Sequence, residues 1–426
     1  MKKNLFSTAV VILLAVNCNA QLKNIFKQKA TEGVKQAAQN STEKAADKAV
    51  DKIFSKKNKK NKNEETTSEN NDNTNQKEKD IQKQPFLKTY SKYDFVPGEK
   101  VVGYADFSQD AIGDFPNHWN TNGTGEVMTV EGKAGKWLSV GKEGFYIPVF
   151  INSLPENFTL EYDVIHIPSA APGTSASGFQ LVRMDMKKES FEGGLTRAQF
   201  QIDPYLGNFD YESYTKYENG KGGDKILSSS THVDGLNNRQ IHSYHVSVWR
   251  QKQRVRVYLD QNKVCDLPMV LSETEKYNAI RFVTARFNDG SNWLISNIKL
   301  AAGAPDTRNK LMTTGKFSTT GILFAANSAS IQPQSYGTLK EIAAVLKENN
   351  GLQVKIIGHT DSDGDDAANL ELSKKRAEAV KATLTKEFGI EESRMQADGK
   401  GETQPAAANT TPEGKAQNRR VEFIKI

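Results

Sequence analysis

The chain has 426 residues, 25% of them charged, a net charge of +6 and two cysteines. That length exceeds one ordinary hydrophobic core and predicts two or three folded units with tails. Two lysines at the extreme start and a surplus of five over residues 21–86 already exceed the whole-chain charge, so residues 87–426 are close to neutral and composition excludes a basic nucleic-acid-binding face.

Residues 1–20 read as a secretory signal. Lys2 and Lys3 precede an apolar stretch from Leu5 to Val16, long enough for a signal core and too short to span a bilayer. Cys18, Asn19 and Ala20 form a small-x-small site, which predicts cleavage after Ala20. Lipidation at Cys18 is the competing reading; such a box wants Leu three residues upstream and a small residue just before the Cys, where this chain has Ala15 and Asn17. After cleavage at Ala20 only Cys265 remains, so no internal disulfide is expected. Residues 21–86 form a basic tether. Its first part carries apolar side chains at helical spacing (Leu22, Ile25, Phe26, Ala30, Val34), much of the face being alanine. That pattern suits a marginal helix, a surface helix, a weak coiled coil or a membrane-contacting stretch. Residues 56–80 lack any apolar patch to offset chain entropy and are expected to be disordered.

Over residues 90–302 the period becomes two. In NFTLEYDV, Phe158, Leu160, Tyr162 and Val164 share one face while Thr159, Glu161 and Asp163 share the other; in RVRVYLD, Val255, Val257 and Leu259 alternate with Arg254, Arg256 and Tyr258. Further runs include FYIPVFI, GFQLVRMDM, RAQFQI, SYHVSVW, AIRFVTARF and WLISNIKL, separated by turn-rich stretches such as ENGKGGD. Many short strands with this punctuation predict a β-sandwich. An outer-membrane β-barrel is the rival, but it needs regular outward apolar bands with aromatic girdles, and these strands are uneven. Residues 303–318 read as a linker.

Residues 319–426 alternate strand and helix. GILFAA reads as a strand, SYGTLKEIAAVLKENNG as a helix with Leu339, Ile342, Ala343 and Leu346 inward, and LQVKIIGHT as a strand. A second helix runs from about Ala367 to Phe388 and stops at Gly389, and RRVEFIKI closes the unit as a strand. This order predicts a two-layer α/β domain.

Before the second helix lies HTDSDGDD, four aspartates in six residues. A calcium loop fits Asp361, Asp363 and Asp365 but fails at its sixth position, Asp366, and its twelfth, Leu372. Helix capping suits Asp365 and Asp366 but leaves Asp361 unexplained. A third reading joins Asp361 to Arg376, which lies beside the inward Ala377 at the edge of the helix's buried face. Such a pair is suited to a ligand carrying both an ammonium and a carboxylate, the arginine fork taking the carboxylate.

Residues 321–426 resemble the OmpA-like C-terminal domain, a peptidoglycan-binding module. The motifs are G-H-T-D-S-D-G at 358–364, Asn369, L-S-K-K-R-A at 372–377 and T-P-E-G-K-A-Q-N-R-R-V-E at 411–422. The resemblance implies noncovalent binding of stem peptides through the ammonium and carboxylate of diaminopimelate. By position, Asp361 would take the ammonium and Arg376 the carboxylate. Asn327, Asn369 and Arg419 would complete the pocket, with Asp363 on a contacting loop. Two positions depart from the pattern: Phe324-Ala325 replaces Phe-Asp, and Gly414-Lys415-Ala416 replaces Gly-Arg-Ala.

The strand-rich region resembles, more diffusely, the concanavalin-A-like lectin and laminarinase superfamily, which implies a jelly-roll. Laminarinase-type hydrolysis needs a pair of carboxyl groups across the sugar bond. Glu161 and Asp163 fit the motif, but Ile165 and His166 stand where its last carboxylate belongs. The two acids read instead as the solvent face of their strand, and Trp119, Trp137, Trp249 and Trp293 as packing residues or sugar platforms. His242 and His245, three apart on a strand, face opposite ways and cannot share a metal. No cofactor or metal site is expected. The chain as a whole reads as an exported, non-enzymatic protein of the outer membrane and periplasm that anchors a surface assembly to peptidoglycan. Its sandwich would engage a glycan or an envelope protein. The alternatives are a secreted carbohydrate-active enzyme retained at the wall and a porin-type barrel.

Overall fold

A computed structural model describes residues 93–426, except 142, 152, 170–174, 185–195, 216–223, 238–239, 286–289 and 304–306. The signal segment, Cys18 and the basic tether lie outside the described residues.

Fifteen strands come first. They are β1 (Lys100–Ala105), β2 (Trp119–Thr121), β3 (Glu126–Thr129), β4 (Lys136–Ser139), β5 (Gly144–Pro148), β6 (Asn157–Ile167), β7 (Ala176–Val182) and β8 (Arg197–Asp203). Then come β9 (Asn208–Tyr214), β10 (Lys225–His232), β11 (His242–Gln251), β12 (Arg254–Leu259), β13 (Asn262–Leu267), β14 (Ala279–Ala285) and β15 (Asn292–Ala302). They form two separate sheets, one ordered β13-β12-β11-β6-β15-β4-β3 with β1 also on β15, the other β10-β9-β8-β7-β14-β5-β2. The pairings are antiparallel.

Strand alternation explains why both sheets share one core. Phe158, Leu160, Tyr162 and Val164 of β6 and Val255 and Val257 of β12 join Phe179 and Leu181 of β7, Phe200 of β8 and Phe282 of β14 in a single buried cluster. The space between the sheets is filled by apolar side chains rather than opened as a polar lumen. Trp119, Trp137 and Trp293 are 7%, 5% and 0% exposed; they pack, and leave no free sugar platform. Trp249 is half-buried beneath the Arg256 guanidinium, 4.7 Å from its ring centre.

The expected linker is folded. Helix α1 (Thr307–Thr313) and strand β16 (Lys316–Thr319) occupy it, and their Leu311 and Phe317 are buried in the C-terminal core. GILFAA, expected as a strand, is a turn held by the single Phe324–Ile331 bridge. The strand falls earlier, at Lys316–Thr319, and Gly321 follows it packed against Pro97, whose ring a Cβ there would meet at 2.7 Å. Next come helix α2 (Tyr336–Glu348), strand β17 (Val354–His359), helix α3 (Asp366–Phe388), strand β18 (Met395–Gly401), helix α4 (Pro412–Asn418) and strand β19 (Val421–Lys425). The sheet order is β16-β19-β17-β18, with β17 and β18 parallel. Ile342 and Leu346 of α2 and Ala377, Val380 and Leu384 of α3 pack with Val354 and Ile356 of β17 and Phe423 of β19. α3 starts at Asp365, whose side chain accepts from the Ala368 N–H, and ends at Gly389 in the left-handed conformation.

The segment 93–98 joins the two halves. Tyr93 and Phe95 are 0% and 1% exposed and stack edge-on against Tyr258, on the outward side of β12. The Phe95 carbonyl lies so close to Gly337 of α2 that a Cβ there would sit 2.0 Å from it. Gln417 of α4 accepts from the Val101 N–H at 2.7 Å and donates to the Glu99 carbonyl at 3.2 Å.

Candidate functional site

Strand β17 delivers His359, Thr360 and Asp361 to one end of the C-terminal sheet, where the loop to α3 begins. Gly358 of β17 pairs with Gly399 of β18. These two bare positions let α3 approach the sheet at main-chain distance, since a Cβ on Gly358 would lie 2.2 Å from the Ser373 carbonyl oxygen. That approach fixes Arg376, three residues further along the helix.

Asp361 is 8% exposed and paired with Arg419. Arg419 also lies over the Tyr104 ring, 5.2 Å from its centre. Burial alone would lower the Arg419 guanidinium, but the Tyr104 hydroxyl and the Asp361 charge outweigh it and hold the pKa up. Arg376 donates from Nε to the Ser328 carbonyl at 3.0 Å and lies over Phe324, 5.0 Å from its ring centre. Among the described residues no carboxylate is in salt-bridge range of it. Its pKa is lowered, first by burial; Asp361 opposes this and Arg419 reinforces it. Arg376, Asp361 and Arg419 therefore lie within one another's fields.

The other expected residues have different neighbours. Asn369, 7% exposed, donates from Nδ2 to the Asp363 carbonyl at 3.0 Å and to Glu402 at 2.9 Å, so it braces the aspartate loop. Asp363 is exposed and paired with Lys415 at 2.6 Å, the position that departs from the family pattern. Asn327 is exposed, at a positive φ of 50°, in the turn whose Ser328 carbonyl holds Arg376. Arg420 pairs with Glu422 at 2.8 Å. Among the described residues no cluster of His, Cys, Asp or Glu is placed to hold a metal.

A cavity of about 270 Å³ opens beside Arg376 and Arg419. Its C-terminal wall includes His359, Phe324 and Arg420; its opposite wall comes from the larger of the two β-sheets of the N-terminal half, through Tyr104, Glu161, Asp163, His245, Asn297 and Lys299. This corrects the expectation that Glu161 faces solvent, for it is 3% exposed. Alternation placed it correctly on the outward face, but that face is covered. Glu161 bonds Lys299 at 2.8 Å and lies 3.6 Å from His245, which in turn bonds Asp163 at 2.7 Å. An extra residue in β15 between Ser296 and Lys299 brings Lys299 opposite Glu161, with Asn297 at a φ of 52° donating to Asp163 at 2.7 Å. Burial opposes charge on His245, yet its two carboxylates raise its pKa to about 10. Lys299 and His245 hold Glu161 down at about 2 against the same burial.

Residues 323–419 match a family model described as the OmpA family. Over 101 residues the chain is 42% identical to outer membrane porin F of Pseudomonas aeruginosa, across 24% of this chain and 29% of that protein. Over 102 residues it is 44% identical to the probable lipoprotein YiaD of Escherichia coli, across 24% of this chain and 46% of that protein. Among solved structures it is similar to the peptidoglycan-associated lipoprotein from Burkholderia pseudomallei, at 33% identity over 26% of this chain and 89% of that chain, with a TM-score of 0.24. The chain thus spans less than half the length of either of these two curated relatives.

Proposed function

From the premise that residues 323–419 form an OmpA-family domain, we propose that the protein is a non-enzymatic anchor of the cell envelope. It holds the outer membrane, or an assembly at it, to peptidoglycan by gripping the diaminopimelate head group of stem peptides. The observation that carries this reading is Arg376, a half-buried guanidinium beside a cavity, with no carboxylate partner among the described residues and within the field of Asp361. A ligand carboxylate meets the two terminal nitrogens of the guanidinium, whose Nε is held by the Ser328 carbonyl, and the ligand ammonium meets Asp361. Purified sacculi should pellet the wild-type protein; Arg376→Ala and Asp361→Ala should each weaken retention about tenfold or more, the range of one charge-assisted contact. Equal pelleting of both variants would end the clamp reading.

The two-sheet unit is read as a lectin-like jelly-roll for a glycan or protein partner. Support comes from its two antiparallel sheets around one apolar core; the outward face of the seven-stranded sheet is occupied by its own polar side chains. There Arg281 lies over Phe145, 3.9 Å from its ring centre, and donates to Gln180. Gln180 donates to Gln199, which donates to Gln201 at 2.7 Å. Arg281 and Gln180 are each 1% exposed, so this ladder bonds to itself and is covered. The full chain on a glycan array tests the reading; an array without hits would leave a protein as the partner. Hydrolysis has no support at Glu161, whose carboxylate is buried and tied to Lys299 and His245.

A further inference from the structure

We propose that the ligand cleft is a two-part site, in which Asp163 and Tyr104 of the two-sheet unit hold the cationic end of the head group across from Arg376. The inference rests on the anchor reading and names the residues that complete its pocket.

Three observations carry it. The cavity beside Arg376 is walled by both halves of the protein, and Asp163 and Tyr104 are on its lining while Asp361 is not. In the free protein Asp361 is already taken by Arg419. An arriving ammonium would leave the C-terminal half with one carboxylate for two cations, and Asp163 supplies the second. Finally, Tyr104 lies against the Arg419 guanidinium, 5.2 Å from ring centre to charge, and both line the cavity with Asp163.

The charged cluster behind Asp163 is built to present it. Glu161, Lys299 and His245 have side chains 4%, 9% and 10% exposed, whereas Asp163 is 31% exposed. Burying such a cluster costs about as much in desolvation as the pairing returns, so stability alone does not explain it. What the cluster does is orient Asp163: His245 bonds its Oδ1 and Asn297 its Oδ2, which leaves a second lone pair on each oxygen for a ligand. The imidazolium and the amide act as positioning groups, and Asp163 as the ligand contact.

The full chain tests this by calorimetry with two probes: a soluble muropeptide whose diaminopimelate amine is free, and the same muropeptide with that amine acetylated. Wild type should prefer the free amine. Asp163→Asn, which keeps size and shape, should reduce that preference roughly tenfold, equivalent to about 1.4 kcal/mol, while leaving the acetylated probe unchanged. Tyr104→Phe keeps the ring beneath Arg419 and should reduce the preference a few-fold, which keeps the inference testable if Asp163→Asn melts early. A merely structural role for Asp163 would weaken both probes alike, and that result overturns the inference. So does an unchanged preference in both variants, even where Arg376→Ala abolishes binding and the anchor reading stands. Failure of wild type to bind either probe overturns the anchor reading and this inference with it.

Discussion

A methyl group at Gly358 tests how the clamp is spaced. Gly358 and Gly399 face each other on neighbouring strands, and helix α3 rests on both. The new Cβ at 358 would lie 2.2 Å from the Ser373 carbonyl oxygen, and one at 399 would lie 2.4 Å from the Lys374 nitrogen. Both obstacles are main-chain atoms, so no side chain can swing aside. Restoring ordinary contact at roughly 3.4 Å means moving the helix by about 1.2 Å. Overpacking of this kind costs about 1–3 kcal/mol, or a fall in Tm of roughly 5–20 °C for a unit of about 100 residues. Arg376 travels with Ser373, while Asp361 stays with the strand, so the grip on a zwitterion loosens as well; a displacement of about 1 Å suffices to lose much of an oriented interaction. Thermal melting and cosedimentation with sacculi, run on Gly358→Ala, measure both effects. Gly351→Ala is the control, because a Cβ there meets nothing within 4 Å. If Gly358→Ala melts and pellets like wild type, close approach of helix to sheet does not set the site.

Replacing Arg376 by Lys should recover only part of the sacculus binding lost in Arg376→Ala, because a lysine supplies charge without the bidentate fork; full recovery in the cosedimentation assay would reduce the site to a point charge. The buried His245 predicts a pH dependence with a definite sign. Its pKa is raised from 6.5 to about 10 in the folded protein, so its contribution is complete below about pH 6.5 and is lost as pH rises toward 10. Even a tenfold preference for the protonated form, about 1.4 kcal/mol, lowers Tm by roughly 3–6 °C across that window. His245→Gln should flatten the alkaline limb, and a Tm that holds steady from pH 6.5 to 10 in wild type would contradict the charged imidazole.

Much of the architecture is legible in residue order. Period-two alternation identifies β6, β11, β12 and β15, and it assigns Phe158, Leu160, Val255 and Val257 to the core because a strand's side chains have only two directions. Gly389 and Asp365 mark the ends of α3 for local reasons, a left-handed backbone at one and a side-chain cap at the other. The Asp361 to Arg376 spacing brings the two into one neighbourhood because a strand end and the following helix are local geometry. The misplaced strand at GILFAA shows the limit: an apolar run reads as a strand, but whether it pairs depends on which segment reaches the sheet edge, and here Lys316–Thr319 takes the place beside β19.

Alternation likewise sets Glu161 and Asp163 on the outward face of β6 and is silent about what lies over that face. The chain by itself determined the inward and outward faces of the long strands, the two ends of α3, and that an acid and an arginine flank the same loop; each follows from interactions between near neighbours. Only the folded molecule decided that the outward face of one sheet is a wall of the other half's cavity, that Asp361 is paired with Arg419, and that Tyr104 lies against that arginine. Those facts depend on contacts between residues far apart in the chain, 58 positions for Asp361 and Arg419 and hundreds across the cavity, about which no local pattern carries information.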